Sequence, residues 1–241
     1  MRRLVKESLA AVSSLLYPPR CENCATTTDV GEYLCEPCRK TARRIKRPFC
    51  ETCSEPFDGA IEQEFSCANC GDRRFHFTHA VSCFRSRGVL REMVHRFKYG
   101  REFHLRYPLA DWLLATMDDE RIASQTVHAF VPVPLHERRL REREFNQATA
   151  LSEIISVRTG VPVSDCLERT RYTTTQTRYD RHERMENLRN AFKLRHSADV
   201  RGQHLVLVDD VLTTGSTLDE CARMLMKAGA ASVRAITVAR G

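Results

Sequence analysis

The residues best suited to chemistry stand together near the C-terminus. A hydrophobic run from Leu205 to Val208 ends at two consecutive acids, Asp209 and Asp210, and Thr213-Thr214-Gly215-Ser216-Thr217 follows shortly after. The hydroxyls of that turn, the backbone N–H groups freed by Gly215 and the positive end of a following helix all favour a bound monophosphate. The two acids can accept hydrogen bonds from a ribose 2′,3′-diol or help position a magnesium ion. A loop that offers both functions to one molecule reads as a sugar-phosphate site. It is neither a Walker loop nor a dinucleotide loop, since G-x-x-x-x-G-K-[ST] and G-x-G-x-x-G are both missing. The purely structural alternative is a pair of acids capping a helix beside a threonine turn.

The second constellation is made of cysteine. Eight of the 11 cysteines form four C-x-x-C pairs: Cys21/Cys24, Cys35/Cys38, Cys50/Cys53 and Cys67/Cys70. That spacing lets two thiolates from one tight turn meet a single metal, and two such turns complete a tetrahedral four-sulfur site. Eight cysteines therefore predict two structural zinc ions, with no open coordination position for catalysis. Metal binding would supply folding energy that such short segments otherwise lack. A secreted disulfide framework needs an export signal, and a thioredoxin-like motif is not repeated four times before any βαβ pattern. Pairing the first knuckle with the second and the third with the fourth is simplest, although a crossed arrangement also satisfies the spacing. Cys83, Cys166 and Cys221 are scattered and read as buried small hydrophobes.

Both constellations need a scaffold, and the chain past Gly71 alternates strand and helix signals. Strands are expected at Ala80–Phe84, Val127–Val133, His204–Val208 and Ser232–Ala239. Helices are expected at Val89–Tyr99, Leu105–Met117, Phe145–Arg158 with Gly160 as its stop, and Thr217–Lys227. This alternation predicts an α/β fold, an open and mostly parallel sheet with flanking helices, whose ligands sit at the carboxyl ends of the strands. The boundaries so read are an amphipathic helix over residues 1–18, a double zinc ribbon over 19–74 and the α/β domain over 75–241. In the first segment Leu4, Val5, Leu9, Val12 and Leu16 recur at helical spacing. Lys6 and Glu7 interrupt the apolar stretch that a signal peptide would need.

At 241 residues, 42% hydrophobic and 29% charged, the chain has the composition of a soluble globular protein, and no apolar run is long enough for a transmembrane segment. The expected location is the cytoplasm. A formal charge of +7 favours anionic partners. Arg39, Lys40, Arg43, Arg44, Lys46 and Arg47 form a basic stretch suited either to a nucleic-acid backbone or to a solvated helix between two knuckles.

The run Leu205–Thr217, a hydrophobic strand followed by two acids and T-T-G-x-T, resembles the signature of the type I phosphoribosyltransferases. A closer resemblance, over nearly the whole chain, is to the competence protein F family, also described as amidophosphoribosyltransferase-like. It is carried by Pro18-Pro19-Arg20-Cys21, by Phe97-Lys98-Tyr99-Gly100, and by Val131 to His136 with Arg139 and Phe145-Asn146-Gln147-Ala148. Arg169, Arg171, Gln176, Arg184, Asn187 and Ala191-Phe192 complete it. One departure is Glu144, where the family usually has glycine.

The resemblance implies a type I phosphoribosyltransferase-like fold behind a double zinc ribbon, and binding of phosphoribosyl pyrophosphate (PRPP) with magnesium. Asp209 and Asp210 would hold the ribose and act in catalysis, and Thr213, Thr214, Gly215, Ser216 and Thr217 would hold the 5′-phosphate. Lys98, His136 and Arg139 would join them, the last two on the pyrophosphate loop. The six arginines from Arg169 to Arg189 would lie on a loop closing over substrate. The implied reaction is pentosyl transfer from PRPP to an unspecified acceptor, and the implied role is DNA uptake in natural competence, with single-stranded DNA and uptake proteins as partners. The alternative is a non-catalytic PRPP sensor that binds nucleic acid.

Overall fold

The structure is a computed structural model that describes residues 18–59, 65–172, 188–196 and 198–241. The expected N-terminal helix, apart from Pro18, and most of the arginine-rich loop therefore lie outside the described residues.

Among the described residues the elements, in chain order, begin with a short helix α1 (Glu36–Thr41) in the cysteine-rich region, then β1 (Ala80–Arg85), α2 (Gly88–Tyr99), α3 (Arg106–Leu114) and α4 (Glu120–Ala123). They continue with β2 (Ala129–Pro132), α5 (Glu137–Arg143), α6 (Gln147–Thr159), β3 (Leu167–Arg169) and β4 (Phe192–Leu194). The chain closes with β5 (His204–Leu212), α7 (Ser216–Lys227) and β6 (Ser232–Arg240). Four strands form one sheet in the order β1-β6-β5-β2, every neighbouring pair parallel, and β3 and β4 form a separate antiparallel hairpin. Leu205, Val206, Leu207 and Val208 are all fully buried, as a parallel strand covered on both faces requires.

Each strand and helix expected past Gly71 is present, with shifted ends. Helix α6 stops where Gly160 takes the left-handed conformation at φ 75° and donates its N–H to Ser156 O. Strand β5 runs four residues past the expected Val208 because β6 stays beside it, pairing Asp209 with Thr237 and Leu212 with Arg240. On the other side β2 ends at Pro132, opposite Val208, and Pro134 soon follows. Proline has no N–H to continue a ladder, so that edge of β5 opens where the two acids begin.

The cysteine-rich region is not a separate bead. Cys50, Cys53, Cys67 and Cys70 belong to the core on one sheet face, together with Val131, Leu205, Leu207 and α7. Cys21, Cys35 and Cys38 belong to the core on the other face, with α2, α3 and Val206. Between them, residues 43–45 run antiparallel along the outer edge of β1, through Ile45 N–H to Cys83 O and Arg85 N–H to Arg43 O. Several residues of the basic stretch are engaged on the protein itself. Lys40 pairs with Glu36 at 2.7 Å, Arg47 pairs with Glu51, and Arg44 lies over the Phe84 ring. Cys166 and Cys221 are buried, whereas Cys83 is partly exposed and its thiol donates to Trp112 O at 3.1 Å.

Candidate functional site

The carboxyl ends of β2 and β5, the last turn of α2 and the first turn of α6 enclose a cavity of about 250 Å³. Among its lining residues are Lys98, Arg143, Arg169, Asp209, Asp210 and Thr217. Because side chains alternate along a strand, the consecutive acids leave β5 on opposite faces. Asp210 is buried and meets Lys98 Nζ at 2.8 Å. Lys98 reaches it because Val89, Leu90, Met93, Val94 and Phe97 bury the other side of α2, which fixes the rotation of the last turn. Asp209 is half-buried and its carboxylate accepts the Asp210 N–H at 2.8 Å. Burial, followed by repulsion from Asp210, pushes its carboxyl up to about 7, while Lys98 and Arg143 pull the other way.

The hydroxyl turn follows directly. Thr213 and Thr217 line the cavity, and Thr214, Gly215 and Ser216 complete the turn between them. Gly215 is the N-cap of α7 at φ 79°, a conformation that costs a residue with a Cβ, and an added Cβ would lie 3.2 Å from the Phe75 ring. A glycine cap brings no side-chain acceptor to the first-turn amides of this 12-residue helix, so an anion can take that place. The Thr214 and Ser216 hydroxyls are 3.0 Å apart.

Lys98, Asp209, Asp210, Thr213 and Thr217 thus come together. His136 and Arg139 stand apart from the cavity lining. His136 caps α5 by accepting the Arg138 N–H, and both side chains face Tyr172, with Arg139 5.9 Å from the ring centre.

The eight cysteines gather into two groups, Cys21/Cys24/Cys35/Cys38 and Cys50/Cys53/Cys67/Cys70, and within each group all sulfurs lie within 4.8 Å of one another. The knuckles are therefore paired first with second and third with fourth. The separations of 3.5 Å for Cys24–Cys35 and 3.6 Å for Cys53–Cys67 fit a tetrahedral zinc site, whose edge is about 3.8 Å for Zn–S bonds of about 2.3 Å. All eight thiols are free of disulfides. Four sulfurs close each site, and the zinc is structural.

Comparison with known proteins agrees with both halves of this picture. Residues 12–83 match the double zinc ribbon domain and residues 146–241 match the phosphoribosyl transferase domain. The chain is 32% identical to the DNA utilization protein YhgH of Escherichia coli K12 over 224 residues, covering 91% of this chain and 96% of that protein. It is 30% identical to competence protein F of Haemophilus influenzae over 226 residues, covering 92% and 96%. The chain belongs to the competence protein F family. A further relative, competence protein ComFC of Streptococcus pneumoniae, is 26% identical over 86% of this chain.

Within this competence protein F architecture, the structure adds groups that sequence reasoning did not single out as site residues. Arg143 lines the cavity, donates to Gln147 Oε1 at 2.9 Å and to Tyr99 OH at 3.0 Å, and lies over the Tyr99 ring. In the sequence it is one of four arginines between Arg138 and Arg143, and nothing local distinguishes it. Asn146 joins the lining while its side chain caps α6 and donates to Val133 O at 3.0 Å. Arg169, expected at the start of the arginine-rich loop, lies on the hairpin strand β3 and also lines the cavity. The departure at Glu144 is also explained. This residue ends α5 in the left-handed region at φ 68°, where glycine has no steric cost, and its carboxylate pairs with Arg101 at 3.0 Å.

Proposed function

We propose that this protein binds PRPP with magnesium in the crevice at the end of β5 and acts on DNA taken up by the cell. The observation that carries the reading is the direct passage of a buried strand into Asp209-Asp210 and then into a glycine-capped hydroxyl loop, with Lys98 clamped on Asp210. Asp209 and Asp210 accept hydrogen bonds from the ribose 2′- and 3′-hydroxyls. Thr213 to Thr217, with the amides at the start of α7, receive the 5′-phosphate. Lys98 and Arg139 supply positive charge toward the diphosphate, and His136 offers it a polar ring. Magnesium, when bound, offsets diphosphate charge and favours its departure.

In the pentosyl-transfer reaction an acceptor forms a bond to the ribose anomeric carbon as the bond to pyrophosphate oxygen breaks, and the electron pair leaves with pyrophosphate. Asp209, held near neutrality by its surroundings, ionises more readily beside the cationic charge that develops on the sugar. The names of the relatives, a DNA utilization protein and a competence protein, support a role in handling incoming DNA, with single-stranded DNA and uptake proteins as partners. No helix among the described residues is long and apolar enough to cross a membrane, and the reading places the activity in the cytoplasm.

The test is calorimetry of zinc-loaded protein with PRPP and magnesium, run beside a pyrophosphate-release assay over bases, amines and single-stranded DNA. Binding by the wild type and its collapse in Asp209→Asn/Asp210→Asn are expected. No heat and no thermal stabilisation with PRPP would overturn the reading. Binding without pyrophosphate release would make the protein a sensor.

A further inference from the structure

The segment that closes the second cysteine cluster also clasps the hydroxyl loop. Asn69, inside the Cys67–Cys70 knuckle, donates from Nδ2 to Thr214 O at 3.3 Å. Arg73, three residues beyond the knuckle, donates from Nη1 to the same carbonyl at 3.1 Å. The Arg73 guanidinium lies over the Phe75 ring, 4.3 Å from its centre, and that ring forms the wall against Gly215. His76 continues the clasp, its N–H and Nδ1 meeting Asp219 Oδ1 at 2.7 and 3.0 Å in the first turn of α7. One short stretch, residues 69–76, thus grips the loop at its carbonyl, at its glycine and at the helix that follows.

These contacts hold the loop at the Thr214 carbonyl, between the cavity-lining Thr213 and Thr217. A carbonyl tied in this way keeps the loop from rotating its peptide planes, and the direction of those planes decides whether N–H groups face an anion. The anchor for the clasp is the knuckle itself. Cys70 N–H and Gly71 N–H both donate to Cys67 O, at 2.8 and 2.9 Å, and Arg73 N–H donates to Cys70 O at 3.2 Å. The four sulfurs of this cluster are all buried and close enough for one metal. A bound zinc would join them into a single rigid base for Asn69 and Arg73. The first cluster packs elsewhere. Its neighbour Glu22 accepts from Arg96 on α2, and Cys21, Cys35 and Cys38 join the core on the opposite sheet face.

We propose that Asn69 and Arg73 are positioning residues for the hydroxyl loop, so that the second zinc site sets the shape of that loop and its affinity for a phosphate-bearing sugar. This rests on the reading of the loop as the 5′-phosphate site. It assigns the two ribbons different tasks: the second braces the ligand loop, and the first supports the helical face.

The experiment compares full-length wild type with Asn69→Ala, Arg73→Ala and their double variant, each checked for two zinc ions per chain. Amide hydrogen exchange over residues 213–217 is expected to accelerate about ten-fold in the double variant, the scale of losing one to two hydrogen bonds. Affinity for ribose 5-phosphate and for PRPP should weaken by a similar factor, while inorganic pyrophosphate, which does not use this loop, keeps its affinity. Cys70→Ser, which opens the second site, should speed exchange in the same segment, and Cys24→Ser, which opens the first, should leave it unchanged. Wild-type exchange over 213–217 in the double variant overturns the proposal. If wild type binds neither phosphosugar while the loop still loosens, the brace stands and the ligand assignment fails. If phosphosugar binding persists with unchanged exchange and affinity in the double variant, the ligand site stands and the brace fails.

Discussion

Replacing Lys98 by methionine leaves the Asp210 carboxylate buried beside a second acid with its cation removed. Only 20% of the Lys98 side chain and 6% of the Asp210 side chain are exposed, and the charged atoms are 2.8 Å apart. Removing one partner of a fully buried pair costs about 3–5 kcal/mol, and the partial exposure of Lys98 lowers the expected loss to about 2 kcal/mol at pH 8. The loss depends on pH in a definite direction. The Asp209 carboxyl titrates at about 7 when folded against 3.8 ordinarily, so between these values the folded state holds a proton that the unfolded state has released. Its contribution to stability is greatest below the unfolded value and is lost as the pH rises through the folded one.

Lys98 is among the groups that hold the Asp209 carboxyl down, so Lys98→Met raises it further and steepens this dependence. At pH 5 protonation of Asp209 removes its repulsion of the Asp210 carboxylate, so the penalty should be smaller than at pH 8. Urea unfolding of zinc-loaded protein can follow Trp112, the only tryptophan, which packs edge-on against Phe84. An equal penalty at pH 5 and pH 8 would show that Lys98 acts through packing and not through charge, and would refute the electrostatic account of the site.

Two further substitutions probe the backbone. Glu144→Gly should raise stability by about 0.5–1 kcal/mol, because the residue sits at φ 68° and its exposed pair with Arg101 offers little in return; a lower unfolding midpoint in urea would contradict this. Gly215→Ala should cost about 1–2 kcal/mol and abolish PRPP heat, since the residue has φ 79° and an added Cβ meets Phe75 at 3.2 Å. Wild-type PRPP affinity in that variant would show that the loop conformation does not matter for the ligand.

What could be read from the sequence was whatever chemistry is local. Each C-x-x-C pair brings two sulfurs to one turn whatever surrounds it, so the metal ligands were legible from spacing. Two acids followed by a hydroxyl turn and a helix start are contiguous, so the loop was legible as well. Hydrophobic periodicity located the strands and long helices because their burial repeats along the chain. The short elements α4 and α5 and the β3–β4 hairpin are too brief for a period to register. The pairing of the knuckles, left open by the spacing, was decided only when the two clusters packed on opposite faces of the sheet.

Tertiary structure alone brought Lys98 to Asp210, selected Arg143 from a run of arginines, and carried Asn69 and Arg73 to Thr214. None of these contacts has a local signal, because each joins segments far apart in the chain that only a shared core aligns. The direction of a side chain depends on which face of its helix or strand is buried, and that is a property of the packed sheet. Sequence named the groups able to do chemistry; packing determined which of them face one another.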